Sequence, residues 1–225
     1  MIPLRDNQPP SGFAGWVVIL ILVNIYIFYL ELASVSPDAF ISQYALIPAN
    51  IDFAGLQGLK PFITSQFIHG GFLHIISNML FLWIFGGNVE AKLGIFFPLF
   101  YLLGGIIAAF TQYLLIPTSN IPMLGASGAI AAVLGAYFVF FSHHKIKTLV
   151  PLFGFFTILD IPASIMLFYW FFTQLFSGVA TIVTNQLNLG GVAFFAHIGG
   201  FVYGMVAGSV IRTLSTPARR LLHRF

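Results

Sequence analysis

An all-α membrane protein built on six transmembrane helices is the fold class this sequence predicts, and three observations predict it. The 225 residues are 59% hydrophobic and 7% charged, with a mean hydropathy of +0.97. So few charges cannot cover a soluble globule, which puts the chain in lipid. The 27 phenylalanines and 22 glycines suit that solvent: phenylalanine favours hydrocarbon, and glycine lets helices approach one another. The third observation is the placement of the nine basic residues, eight of which fall on one side of a six-span count and only Lys60 on the other. The positive-inside rule then puts both termini in the cytoplasm.

Taken in order, residues 1–12 form a short polar cytoplasmic N-terminus with Arg5 and Asp6, and Phe13 to Leu32 is an apolar run long enough to span. That run exceeds a signal-peptide core and ends on Glu31, which reads as an uncleaved anchor, although Ala33-Ser34-Val35 leaves cleavage open. Ala33 to Gly71 mixes turn formers with recurring aromatics and is expected to lie along the membrane interface. Phe72 to Phe85, closed by Gly86-Gly87, is the second span and Gly94 to Leu115 the third. After an uncharged loop with two prolines, the fourth runs from Ser127 to Ser142. Its length gives about 24 Å of helix against roughly 30 Å of hydrocarbon, so one end should lie inside the membrane. Thr148 to Leu159, interrupted by Pro151 and Gly154, reads as interfacial or re-entrant. Pro162 to Val179 is the fifth span, Ala180 to Gly191 a polar loop, and Val192 to Ile211 the sixth. The six-span domain thus covers 13–212, followed by a basic cytoplasmic tail at 213–225 with Arg219, Arg220 and Arg224. In the chain as given, short loops and the lack of an organelle-targeting segment point to a bacterial inner membrane.

Spans two, four and six run in the same direction, so residues near their starts share one depth just below the outer surface. Each start carries polar groups: His74 and Asn78, one turn apart on the second; Ser127 on the fourth, within Gly125-Ala126-Ser127-Gly128-Ala129; His197 on the sixth. Small residues around Ser127 also serve helix packing, and a single His or Asn can be interhelical glue. Four such costly groups at one depth nevertheless indicate a site. Serine needs a base to take its proton, a role histidine fills near neutral pH, and a developing oxyanion needs fixed donors. His197 can be the base, while His74, Asn78 and the Ser127 N–H can donate. Gly200 and Gly204 form a small-xxx-small stripe that would let the sixth helix approach the fourth.

The chemistry has no carboxylate to complete a triad: no Asp or Glu occurs from 91 to 159, and only Asp160 follows. A serine–histidine dyad is therefore expected. A His-Glu-x-x-His zinc motif and paired intramembrane aspartates are both missing, and Ala129 stands where the hydrolase elbow wants glycine. The absence of cysteine excludes disulfides, thiolate nucleophiles and cysteine-held metals. A transporter is disfavoured by the lack of paired halves and of an intramembrane carboxylate.

These residues resemble the rhomboid family of intramembrane serine proteases. The carrying motifs are His69-Gly-Gly-Phe-Leu-His74-Ile-Ile-Ser-Asn78, Gly86-Gly87-Asn88-Val89-Glu90, Gly125-Ala126-Ser127-Gly128, and Ala196-His197-Ile198-Gly199-Gly200 with Gly204. The resemblance implies a six-helix rhomboid fold, Ser127 as nucleophile, His197 as general base, and His74, Asn78 and the Ser127 amide at the oxyanion. It also implies substrates that are membrane-spanning segments of single- or multi-span proteins, cut near the outer face, with no cofactor, metal or nucleic acid. A non-catalytic rhomboid-like binder of membrane helices is the alternative. Two positions depart from the family pattern. Lys60-Pro61 stands in place of the Trp-Arg pair of the first external loop, and Ala131 in place of a tyrosine that stacks on the histidine in some members. Another group must then hold His197, with Tyr137 and Phe194 as candidates. Trp170 reads as lipid-facing packing or a gate residue.

Overall fold

The structure, a computed structural model, describes residues 1–152, 154–184 and 192–215. Arg219, Arg220 and Arg224 of the basic tail, and most of the loop before the last helix, lie outside the described residues. In chain order the elements are β1 (Ile2–Asp6), α1 (Gly15–Ala33), α2 (Pro37–Tyr44), α3 (Leu56–Leu59), α4 (Pro61–Thr64), α5 (Phe72–Leu93), α6 (Phe97–Leu115), α7 (Ser127–Phe141), β2 (Lys145–Leu152), β3 (Phe155–Pro162), α8 (Ala163–Val183) and α9 (Phe194–Ser215).

α7 is apolar on every side, so it has to be surrounded. Its residues from Gly128 to Tyr137 are all buried, packed by α5, α6, α8 and α9, while α1 packs on α5. The outer helices turn large apolar side chains such as Leu22, Tyr29, Leu99, Phe168 and Phe176 outward, as lipid-facing helices do. By length and composition four stretches among the described residues can cross a membrane: Gly15–Ala33, Phe72–Leu115, Ala163–Ala180 and Phe194–Ser215. The second folds as two helices, α5 and α6, separated by a 3-10 turn at Gly94–Phe96, and Ser127–Phe141 is a shorter apolar helix. The protein is thus a mostly helical, multi-pass integral membrane protein.

The all-α expectation needs one correction. Of Thr148 to Leu159, expected to be interfacial or re-entrant, residues 148–152 and 155–159 belong to a three-stranded antiparallel sheet in the order β1-β2-β3. Ile2 lies opposite Leu149, Arg5 opposite Lys147 and Asp6 opposite Ile146, with an irregularity between Pro3 and Arg5. Ile146 and Thr148 are buried while Lys145 is exposed, the alternation of a strand with one covered face. Pro151 is tolerated in the central strand because the pairing with β1 ends at Ile2 and Leu149, leaving β2 paired at Pro151 with β3 only.

A second correction concerns Gly86-Gly87, which do not close the second span. α5 runs through them to Leu93, with Gly86 against Val17 and Gly87 against Pro10. One turn further, the Glu90 carboxylate accepts the backbone N–H groups of Trp16 at 3.0 Å and Val17 at 2.8 Å. It thereby satisfies amides that the first turn of α1 leaves unpaired.

The same end of the bundle holds Asp6. Its buried carboxylate accepts from Asn88 Nδ2 at 2.7 Å, from the Tyr137 hydroxyl, and from His144 Nδ1 at 3.0 Å. These contacts tie the N-terminal strand to α5 and to the C-terminal end of α7. Asp6→Ala removes the carboxylate that three buried polar groups share, leaving Asn88 the Gln8 carbonyl and Tyr137 and His144 only each other, so the expected loss of stability is about 2–4 kcal/mol. The midpoint of denaturant unfolding in detergent measures it; an unchanged midpoint would mean that the network contributes nothing.

Candidate active site

Ser127 is the first residue of α7, and the chain reaches it through a pinned loop. Leu46 and Met123 exchange both backbone hydrogen bonds, at 2.9 and 2.8 Å, and the Gly125 N–H donates to the Ser65 carbonyl at 2.9 Å. Gly125 has φ +114°, a conformation that side-chain-bearing residues rarely adopt. A Cβ there would also lie 2.6 Å from His74 Nε2. Residue 125 is therefore glycine for two reasons, backbone angle and space for the imidazole. No side chain caps the N-terminus of α7, and its first N–H groups, that of Ser127 included, have no partner within the helix.

His197 lies in the first turn of α9, which touches α7 along the Gly200–Gly204 stripe. A Cβ at Gly200 would lie 2.2 Å from the Gly128 carbonyl oxygen, and one at Gly204 1.9 Å from that of Ala132. Only hydrogen fits at either place. The approach brings His197 Nε2 to 2.7 Å from Ser127 Oγ, between residues 70 apart in sequence. On the other side of the ring, Gln174 Oε1 of α8 accepts from Nδ1 at 2.7 Å, while the same amide's Nε2 faces Thr173 Oγ1 at 3.4 Å. An acceptor at Nδ1 selects the tautomer with its proton there, leaving the Nε2 lone pair for the Ser127 hydroxyl to donate to. Gln112 of α6 fixes the helix start, its Oε1 accepting the Ala196 N–H at 3.1 Å.

His74 and Asn78 lie on the face of α5 that meets this loop. Asn78 Nδ2 is buried, has no hydrogen-bond partner among the described residues, and lies 3.5 Å from the Cβ that Gly125 lacks. His69 packs behind them: its ring is 5.1 Å from that of His74, and its backbone N–H donates to Glu31 at 3.1 Å. Burial pushes the His69 imidazole down to about 4, helped by His74, so this ring adds no charge beside the site at neutral pH. The structure thus brings Ser127 and His197 into contact and sets His74 and Asn78 against Gly125, two residues away.

The rhomboid domain family model matches residues 57–213, well over half of the chain. The chain belongs to the rhomboid family. It is 28% identical to Rhomboid-like protein 11, chloroplastic, of Arabidopsis thaliana, over 90% of this chain and 67% of that protein. It is 28% identical to Rhomboid protease GlpG of Haemophilus influenzae, over 66% of this chain and 68% of that one. Rhomboid protein 1, mitochondrial, of Saccharomyces cerevisiae is also 28% identical, over 73% of this chain but only 51% of its own length.

Within this rhomboid, the residues that hold the histidine differ from the sequence expectation. Tyr137 lies at the far end of α7, bonded to Asp6 and His144, and Phe194 makes no ring contact with His197 among the described residues. Trp170, read from the sequence as lipid-facing packing or a gate residue, sets its ring 5.6 Å from the imidazole at 34° and packs on Phe201. Gln174 was missed. Its one sequence signal is position: it lies one helical turn beyond Trp170 on an apolar helix, where an amide calls for a partner. The first loop, where Lys60-Pro61 replaces Trp-Arg, is held by backbone and rings. Thr64 Oγ1 donates to the Tyr44 carbonyl at 2.7 Å, and Phe53, Phe62, Phe110 and Tyr113 form one aromatic cluster.

Proposed function

We propose that this rhomboid is an intramembrane serine endopeptidase acting on membrane-spanning segments of other proteins. The observation that carries the reading is the 2.7 Å contact between His197 Nε2 and Ser127 Oγ, with Nδ1 held by Gln174. Ser127 Oγ attacks the scissile carbonyl carbon while its proton passes to His197 Nε2. The oxyanion takes hydrogen bonds from the Ser127 N–H, His74 and Asn78, donors already fixed before the charge develops. His197 then gives the proton to the leaving amine, the C–N bond breaks, and an acyl-enzyme remains. Water attacks that ester, its proton goes to Nε2, and Ser127 recovers its hydrogen as the carboxylate product leaves. Gln174 is a positioning residue in this scheme, and Trp170 covers one face of the imidazole.

The topology proposed with it has α1, α5, α6, α7, α8 and α9 each crossing the membrane within 13–212. Arg5, Lys92, Lys145, Lys147 and Arg212 then lie on the cytoplasmic side opposite Lys60. α7 is about 22 Å long, shorter than roughly 30 Å of hydrocarbon, so its Ser127 end sits below the outer surface, within reach of water. The reading assigns the chain to a bacterial cell membrane, although relatives named as mitochondrial and chloroplastic belong to the same family.

Covalent labelling by a serine-directed phosphonate tests the assignment. Wild type is expected to gain one adduct, located at Ser127, and Ser127→Ala none. Labelling that survives the substitution, or ion flux in liposomes without peptidase activity, would overturn it. Gln174→Leu, which removes the acceptor at Nδ1 while keeping side-chain bulk, is expected to lower kcat about 10- to 100-fold with KM little changed. Gln174→Glu should recover part of the loss and move the pH profile of kcat, a readout that a merely structural role would not shift.

A further inference from the structure

At the end of the bundle remote from Ser127, a cleft of about 310 Å³ opens between the N-terminal segment, α1 and α5. Its walls are apolar where Pro10, Phe13, Val17, Val18, Trp83 and Ile84 line it, and its rim carries Arg5. Phe13 is 85% exposed and Trp83 59% exposed, so the mouth is flanked by a phenylalanine open to hydrocarbon and a tryptophan of the kind that settles at a membrane interface.

The charge at that rim is unbalanced. Arg5 on β1 lies directly opposite Lys147 on β2, and like charges facing each other across a strand pair are unfavourable unless an anion lies between or above them. Among the described residues Lys147 has one counter-charge, Asp160 of the neighbouring strand at 3.8 Å, and Lys145 adds a further exposed cation two residues along the same face. Asp6 lines the cleft but cannot neutralise Arg5, since its carboxylate is buried and engaged with Asn88, Tyr137 and His144. Nor can Glu90, which accepts the first amides of α1. The sheet therefore presents three cations and one carboxylate, and the one that lines the cleft, Arg5 with Lys147 opposite it, stands at the rim of an apolar slot whose floor, Val17, Val18 and Ile84, belongs to membrane helices.

We propose that this cleft is a binding site for an anionic phospholipid of the adjoining leaflet, its phosphate at Arg5 and Lys147 and an acyl chain along Val18 and Ile84. A soluble phosphate would satisfy the cations but leave the apolar slot empty. A zwitterionic lipid would fill the slot but bring its own cation to Arg5. Only a lipid with net negative charge meets both halves. The orientation proposed above makes this the cytoplasmic leaflet; the binding argument itself does not use peptidase activity, so the two readings fail separately.

The test is spin-label electron paramagnetic resonance on the full chain in nanodiscs of phosphatidylcholine containing trace spin-labelled lipid. Wild type is expected to hold labelled phosphatidylglycerol in the immobilised component several-fold more than labelled phosphatidylcholine. Arg5→Gln and Lys147→Gln should each reduce that preference about fivefold, in line with the attraction of one surface cation for anionic lipid. Val18→Trp, which fills the slot and leaves every cation in place, should reduce it as well, and Lys92→Gln, at the same end but outside the cleft, should not. Added inorganic phosphate should leave the immobilised fraction unchanged. Equal retention of the two lipids by wild type, or a preference that Arg5→Gln and Val18→Trp both leave intact, overturns the proposal. Displacement by inorganic phosphate overturns it in favour of a soluble-anion site. Unfolding midpoints of the variants, expected to match wild type, separate lost lipid from lost fold.

Discussion

Ser127→Ala is expected to lower kcat for a single-span substrate in liposomes by about 10⁴- to 10⁶-fold. The substitution removes one oxygen and nothing that packs. The oxygen is the atom that would carry the acyl group, and it stands 2.7 Å from the nitrogen that would take its proton. Without it, His197 can only activate a water that lacks a fixed place, and what survives is the contribution of the donors from α5 and the start of α7. Because Ala is small and a good helix former, α7 should start where it does now and the unfolding midpoint should hold. That makes the comparison clean: activity disappears while the fold stays. Cleavage at the wild-type rate by the alanine variant would rule out Ser127 as nucleophile.

Gly204→Val should produce the largest loss of stability, more than about 3 kcal/mol, and take activity with it. The added Cβ would lie 1.9 Å from the Ala132 carbonyl oxygen, 2.7 Å from its carbon and 2.9 Å from its Cα. All three are backbone atoms of a buried helix, so no side chain can swing aside. α9 would have to withdraw from α7 by about 1 Å or more to restore van der Waals contact. The same displacement lengthens the His197–Ser127 contact beyond hydrogen-bond reach, and a misplacement of that size costs on the order of 10²-fold in rate. Gly208→Ala is the internal control. On the same helix its new Cβ would meet Ala136 Cα at 3.2 Å, tight but close to ordinary contact, and its effect should be several-fold smaller. Calorimetry or denaturant unfolding in detergent reads both. A Gly204→Val protein that unfolds with wild type would show that the two helices are not packed this closely.

The helical segments and their polar outliers were legible without coordinates because both are local properties of the chain. A backbone in lipid must satisfy its hydrogen bonds within the segment, so apolar runs of sufficient length mark helices, and α7 starts at Ser127 as the small residues around it implied. Ser127, His197, His74 and Asn78 stood out because polar groups in such runs are expensive. The sheet was not legible: β1 is five residues long and pairs with a strand more than 130 positions away, and no local period announces a partner at that distance. The partners of Asp6, and the choice of Gln174 and Trp170 over Tyr137 at the imidazole, were hidden for the same reason.

Composition and spacing alone determined that this chain lives in a membrane, which stretches form its long helices, and which few side chains are too costly there to be filler. Tertiary structure alone decided which of those side chains meet, which amide orients the histidine, and that the chain's first residues close the far end of the bundle as a strand. The division follows from range: burying apolar surface and pairing backbone within a helix depend on near neighbours in sequence, whereas hydroxyl, imidazole and amide converge only after separate helices have packed.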